Sequence, residues 1–65
     1  MHARHASAGE LMDALLDANE TLIRHLGRDM HTCSRHGDIG TRSFLTELRR
    51  RHEEVAGTLR NHLEA

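Results

Sequence analysis

Two long segments of this 65-residue chain carry apolar residues at alternating spacings of three and four, and no proline interrupts them. This spacing places the apolar side chains on one face of an α-helix. In each segment a second apolar stripe lies beside the first, so the apolar face is wider than a two-stranded coiled coil needs. The stripes contain Leu11, Met12, Leu15, Leu16, Leu22, Ile23 and Leu26 in the first segment and Phe44, Leu45, Leu48, Val55, Leu59 and Leu63 in the second.

The pattern predicts one helical domain over residues 7–65, preceded by a flexible tail. We expect a first helix over about residues 7–30, a turn over about 31–40 and a second helix over about 39–63. The predicted tail comprises residues 1–6, which contain no apolar run.

Residues with strong capping preferences stand at the predicted helix ends. Ser7 followed by Glu10 forms a capping-box pattern for the first helix. Gly37 is a natural left-handed terminator of that helix, and Asp38 is a favoured N-cap for the second. Because the connection is short, the two helices must be antiparallel neighbours.

These features predict an all-α fold in which an antiparallel two-helix hairpin associates with itself. A chain of this size buries only about 60% of its unfolded surface. Two helices share one contact surface, so part of each wide apolar face would stay in water. Pairing two hairpins into a four-helix bundle covers both faces. We therefore expect a homo-oligomer that is at least a dimer.

The compartment and the partners follow from the cysteine count and the charge. Cys33 is the only cysteine, and a lone thiol is typical of a reducing compartment. No signal-peptide pattern is visible at the N-terminus, and no segment approaches the roughly 20 apolar residues of a membrane span. We expect a cytoplasmic protein with no membrane partner. The formal net charge of −1 argues against strong non-specific binding of nucleic acid by the whole surface.

The second segment resembles the last helix of the Dps family, the ferritin-like proteins that protect DNA during starvation. Residues 10–30 match the penultimate helix of that family in length and polarity, so the chain resembles the C-terminal half of a family member. The resemblance of the second segment rests on Asp38, Thr41, Phe44, Leu45, Glu53, Leu59, Arg60, His62, Leu63 and Glu64.

This resemblance implies a four-helix ferritin-like subunit, assembly into a cage, and a function in iron sequestration and DNA protection under stress. The ferroxidase ligands of the family lie on the first two helices, which have no counterpart here, and the chain contains no Glu-x-x-His. We therefore expect no enzyme activity. Asp38 matches a position where acidic residues line iron-entry pores. Family members commonly carry tryptophan where Gly57 stands, so packing at that level must differ.

Seven histidines make metal binding a candidate chemistry. His31, Cys33 and His36 form a His-x-Cys-x-x-His pattern in the predicted turn, where a loop could bring two imidazoles and a thiolate around zinc or iron. The alternative is a structural or incidental role, because the fourth ligand is unassigned. His2 and His5 could chelate an ion weakly, or they are solvated residues of the tail.

Two polar residues lie within the apolar stripes. Asn19 and His52 need hydrogen-bond partners if they are buried, which favours a polar layer that sets the register of the bundle. The alternative is a metal site in the bundle core, formed by His52, its symmetry mate and Glu53 or Glu20. In either case, protonation of His52 below about pH 6 should loosen the assembly.

Three consecutive arginines lie in the second predicted helix. We expect Arg49 and Arg50 to face solvent and to pair with Glu53 and Glu54. The alternative is contact with DNA phosphates, which an oligomer would repeat many times, with help from Arg4 in the tail.

Overall fold

The structure, a computed structural model, describes residues 7–65. It contains two α-helices, α1 at Ala8–Arg35 and α2 at Ile39–Glu64, which pack against each other. The predicted all-α hairpin is therefore confirmed, while its self-association stays a prediction. The predicted tail of residues 1–6 lies outside the described residues. Neither helix is long and apolar enough to span a membrane, in the part of the chain that is described.

The N-terminus of α1 is closed by the predicted capping box. The Ser7 hydroxyl accepts a hydrogen bond from the Glu10 amide at 3.1 Å. In return, the Ser7 amide donates to Oε1 of Glu10 at 2.8 Å. Two of the four amides that a helix start leaves without partners are thereby satisfied.

The predicted end of α1 near residue 30 is wrong, because the helix continues to Arg35. Cys33 is half-buried and extends the apolar stripe beyond Met30. The neighbouring polar residues face solvent while keeping helical backbone hydrogen bonds, and the Thr32 hydroxyl donates to the Arg28 carbonyl at 3.2 Å. The loss of apolar residues after Met30 thus marks solvent exposure and not the end of the helix.

The chain reverses direction between His36 and Asp38. Gly37 adopts φ +72°, a left-handed conformation that costs glycine little. The Gly37 amide donates to the Ser34 carbonyl at 3.2 Å and the Asp38 amide to the Cys33 carbonyl at 2.9 Å, the pair of bonds that defines a Schellman motif. Gly37 is therefore the predicted terminator.

Asp38 is the predicted N-cap of α2. Its Oδ1 accepts a hydrogen bond from the Thr41 amide at 3.0 Å. Hydrogen bonds from the side chain and backbone of Thr41 hold the pKa of Asp38 below its usual value, because they favour the ionised carboxylate.

Only the central line of contact between α1 and α2 is fully buried. It contains Leu26, Met30 and Ala56. The other residues of the central stripes are half-buried, namely Met12, Leu16, Ile23, Leu45, Leu48, Leu59 and Leu63. The second stripe of each helix is largely exposed, with fractions of 56% at Leu11, 57% at Leu15, 37% at Leu22, 66% at Phe44 and 49% at Val55.

We predict that Gly37→Ala lowers the free energy of unfolding by about 1 kcal/mol, because the left-handed backbone strains any residue with a Cβ. Gly57→Ala is the matched control. Gly57 lies inside α2, and a Cβ there would meet no atom within 4 Å, so the substitution should stabilise the helix by up to about 1 kcal/mol. Chemical unfolding followed by circular dichroism measures both effects. Equal shifts of the two variants would contradict the role of Gly37.

Candidate assembly surfaces

The predicted His-x-Cys-x-x-His site is not assembled in this chain. His31 and Cys33 lie in α1, and His36 is its C-cap. Residues two positions apart on a helix point to different sides, so the loop that was expected to bring these ligands together does not exist. Cys33 is half-buried, while His31 and His36 are exposed.

Among residues 7–65, no three histidine, cysteine, aspartate or glutamate side chains are grouped so that they could hold a metal ion. The described residues of one chain therefore do not fit an iron or zinc centre. A site whose ligands come from several chains stays a prediction, as does the pore position at Asp38.

His52 and Asn19 are both half-buried at the helix contact. Nδ1 of His52 lies 2.9 Å from the Leu48 carbonyl, and because a carbonyl only accepts, this nitrogen must donate. The imidazole thus finds its partner one turn earlier in its own helix, and no hydrogen bond joins it to Asn19 within the described part of the chain. The predicted polar layer is not formed between these two side chains, and Nε2 of His52 is the nitrogen left to accept.

Arg50 is held by carboxylates on both sides. It donates to Glu47 at 2.6 Å and to Glu54 at 2.7 Å, and Arg51 donates to Glu47 at 3.3 Å. The predicted pairing of Arg50 with Glu54 is confirmed. The hydrogen bond from Arg50 lowers the pKa of Glu47 to about 2. Phosphate contact by Arg50 would have to compete with both carboxylates.

Arg49 does not face solvent as expected. It is half-buried, and its guanidinium Nη1 lies 3.7 Å from the point where a Cβ on Gly27 would stand. The Arg49 side chain thus extends to α1 beside Gly27. Within residues 7–65 it forms no ion pair with Glu53. Arg4, the third predicted phosphate contact, lies outside the described residues.

One ion pair joins the two helices, and the sequence analysis missed it. Arg60 donates to Glu20 at 3.1 Å, while Arg24, the sequence neighbour that could have paired with Glu20, donates to the Thr21 hydroxyl at 3.2 Å. The sequence signal for this pair is the position of the turn, which sets the antiparallel alignment of the two helices and so places Arg60 beside Glu20. Both side chains are partly exposed, so the pair contributes no more than about 1 kcal/mol.

Six exposed apolar residues share one side of the hairpin, which we call the front face, whereas Ile39, at the start of α2, is not among them. Each of the six directly precedes a residue of the helix contact, as Leu15 precedes Leu16 and Val55 precedes Ala56. In any α-helix, each side chain is rotated by about 100° from the one before it. Because the contact residues of the two helices point towards each other and the helices run in opposite directions, the residues that precede them emerge on the same side of the hairpin. The apolar residues of the front face are Leu11, Leu15, Ala18, Leu22, Phe44 and Val55, and polar residues that precede contact residues in the same way lie beside them, among them His25, Asp29, Glu47, Arg51 and His62.

The opposite side, the back face, is reached by stepping one residue forward from the contact. Gly27 follows Leu26 and Arg49 follows Leu48, and these two meet across the helices. Glu20 and Arg60 are placed in the same way and form the inter-helix ion pair. The back face is therefore polar, while the front face combines polar side chains with apolar ones, which are concentrated along α1 at residues 11–22.

The chain matches a known protein family. The family model described as "Ferritin-like domain" matches residues 2–65, nearly the whole chain. No curated protein and no solved structure matches the chain.

We predict that the ion pairs of Glu47 add stability that depends on pH. Because the pKa of Glu47 is lowered from 4.5 to about 2, its contribution is complete above about pH 4.5 and is lost as the pH falls towards 2. The melting temperature of Glu47→Gln should lie below that of the unmodified protein at pH 7 and should approach it near pH 2. Glu64→Gln is the control, since Glu64 has no ion-pair partner within residues 7–65. A pH-independent difference for Glu47→Gln would refute the assignment.

Proposed function

This chain belongs to the ferritin-like domain family, and from that membership we propose that it is a self-associating half-bundle. The front face of one hairpin packs on the front face of a second copy and completes a four-helix ferritin-like bundle. Four-helix bundles of this class bury apolar stripes from all four helices in a common core.

The exposure of the front face is the observation that supports this proposal. Leu15 is 57% exposed and Phe44 is 66% exposed, although full burial of such a side chain is worth roughly 1.5–3 kcal/mol. Exposed apolar side chains that lie together, as Leu11, Leu15, Ala18 and Leu22 do along one side of α1, normally mark an association site. The hairpin has no third element in residues 7–65 that could cover it.

The cellular role is a further part of this proposal and is supported by the resemblance of the second helix to the last helix of the Dps family. We propose that the protein is a cytoplasmic oligomer related to iron sequestration and to DNA protection under stress. Ferroxidase activity is not part of the proposal, because the chain contains no Glu-x-x-His. Since the described residues of one chain do not fit an iron centre, no step of iron chemistry is assigned to them.

We predict that Leu15→Glu converts the native oligomer into smaller species, because the new charge would have to be buried in the front-face contact. Ala14→Glu is the matched control. Ala14 is exposed and lies one residue away, on the side of α1 turned away from the contact, so this variant should assemble as the unmodified protein does. Sedimentation velocity at micromolar concentration measures the assembly, and circular dichroism checks the helix content. A monomeric unmodified protein, or equal behaviour of both variants, would refute the front-face pairing.

A second candidate function, metal binding between chains, is favoured by the geometry of His52. Its Nδ1 is fixed by the Leu48 carbonyl, an arrangement that orients the other ring nitrogen as an acceptor or ligand. In this alternative, histidines and carboxylates of several copies would together bind Fe(II) or Zn(II).

For this second candidate we predict that Zn(II) or Fe(II) raises the melting temperature of the unmodified protein and of His36→Asn, but not that of His52→Asn. His36 is the control because it is exposed at the turn. If the metals do not stabilise the unmodified protein, or if they stabilise both variants equally, the proposal that His52 binds a metal ion is wrong.

A further inference from the structure

The back face of the hairpin is divided into a basic and an acidic half. Near the turn, Arg24, Arg28 and Arg35 follow one another along α1 at spacings of four and seven. Residues with these spacings share one side of a helix. Arg24 directly follows the contact residue Ile23 and so lies on the back face, while Arg28 and Arg35 lie two positions after the contact residues Leu26 and Cys33, at the outer edge of that face.

The same half of the back face receives two arginines from α2. Arg42 lies seven residues before Arg49, so both are on one side of α2, and Arg49 reaches over Gly27. Within residues 7–65, no ion pair is formed by Arg28, Arg35 or Arg42. The basic half thus carries five arginines, most of them without a carboxylate partner.

Towards the open end of the hairpin the same face becomes acidic. Asp13, Asp17 and Glu20 follow contact residues of α1 directly, and Glu53 follows the contact residue His52 of α2. Among residues 7–65, Arg60 is the arginine on the back face of this half, and it is already paired with Glu20. The described structure gives Asp13, Asp17 and Glu53 no ion-pair partner.

We propose that the back face binds the back face of a second copy whose long axis runs in the opposite direction. A two-fold axis near the middle of the face would place the basic half of each copy on the acidic half of the other. Opposite charges that approach within a Debye length of about 8 Å are only partly screened by salt, and their attraction favours this orientation over the reverse. This contact goes beyond the proposed front-face pairing, and the two together would link more than two copies.

A copy of this chain fits the back face better than a nucleic acid does. A phosphate backbone is negative along its whole length, so it would be attracted by the basic half and repelled by the acidic half. The net charge of −1 adds no general attraction. A second copy, in contrast, satisfies both halves at once.

The test is a charge exchange between two variants of the full chain. Variant A carries Arg28→Glu and Arg35→Glu, and variant B carries Asp13→Arg and Asp17→Arg. In each variant alone, residues of the same charge face each other at both ends of the contact and repel. We therefore expect the species larger than the front-face pair to be lost. An equimolar mixture of A and B restores opposite charges at both ends and should restore the larger species. Sedimentation velocity at low and high salt, about 0.05 M and 0.5 M, measures the result, with the contact weakened at high salt.

Leu15→Glu separates this contact from the proposed function, because it disturbs the front face alone. If the back-face contact exists, Leu15→Glu should still form a salt-sensitive pair, whether or not the front face associates. The proposal would be overturned if variant A alone and variant B alone assemble as the unmodified protein does. It would also be overturned if their mixture fails to regain the larger species. It would equally be overturned if the unmodified protein retards duplex DNA, variant A does not, and the assembly size is the same in both.

Discussion

The single contact between α1 and α2 governs the rest of this structure. Two helices can bury a side chain completely only where it points straight at the neighbour, and Leu26, Met30 and Ala56 are the residues in that position. One residue earlier the side chains emerge on the front face, and one residue later they emerge on the back face. The different character of these two sides comes from the amino acids that flank each contact residue.

The two faces differ in the information that they can give to a partner. Burial of apolar surface is non-directional, so the leucines of the front face favour contact without choosing an orientation. The charges of the back face are ordered along the hairpin, with Arg28 and Arg35 near one end and Asp13 and Asp17 near the other. Such a pattern favours one direction of approach and penalises the reverse. In our proposals, the front face supplies most of the free energy of association and the back face supplies orientation.

The sequence predicts the hairpin well because helix period and capping are local properties. The stripes, the capping box at Ser7 and the turn at Gly37 and Asp38 are each encoded within a few residues. The predicted end of α1 lies too early, because the polar residues around Cys33 suggest a turn although they form the solvent-exposed side of a helix that continues to Arg35. That error also produced the predicted metal-binding loop around Cys33, which in the structure is helix.

The long-range features could not be predicted in the same way. The pair of Arg60 with Glu20 and the position of Arg49 beside Gly27 depend on how far each residue lies from the turn, and the turn is shorter than the predicted segment of residues 31–40. A helical pattern identifies which side of a helix a residue occupies, but not which residue of the neighbour stands at the same height. The side chains that share one side of the hairpin can therefore be identified only when both helix ends are known.

Asp38, which lies between the two helices, forms hydrogen bonds that cap the end of α1 and the start of α2. Its amide completes the hydrogen bonding at the end of α1, and its carboxylate accepts the amide of Thr41 at the start of α2. Unravelling of either helix end at the turn displaces the residue on which the other depends, so the two ends cannot fray independently. Amide hydrogens on both sides of the bend should consequently exchange with solvent at similar rates, as one cooperative unit.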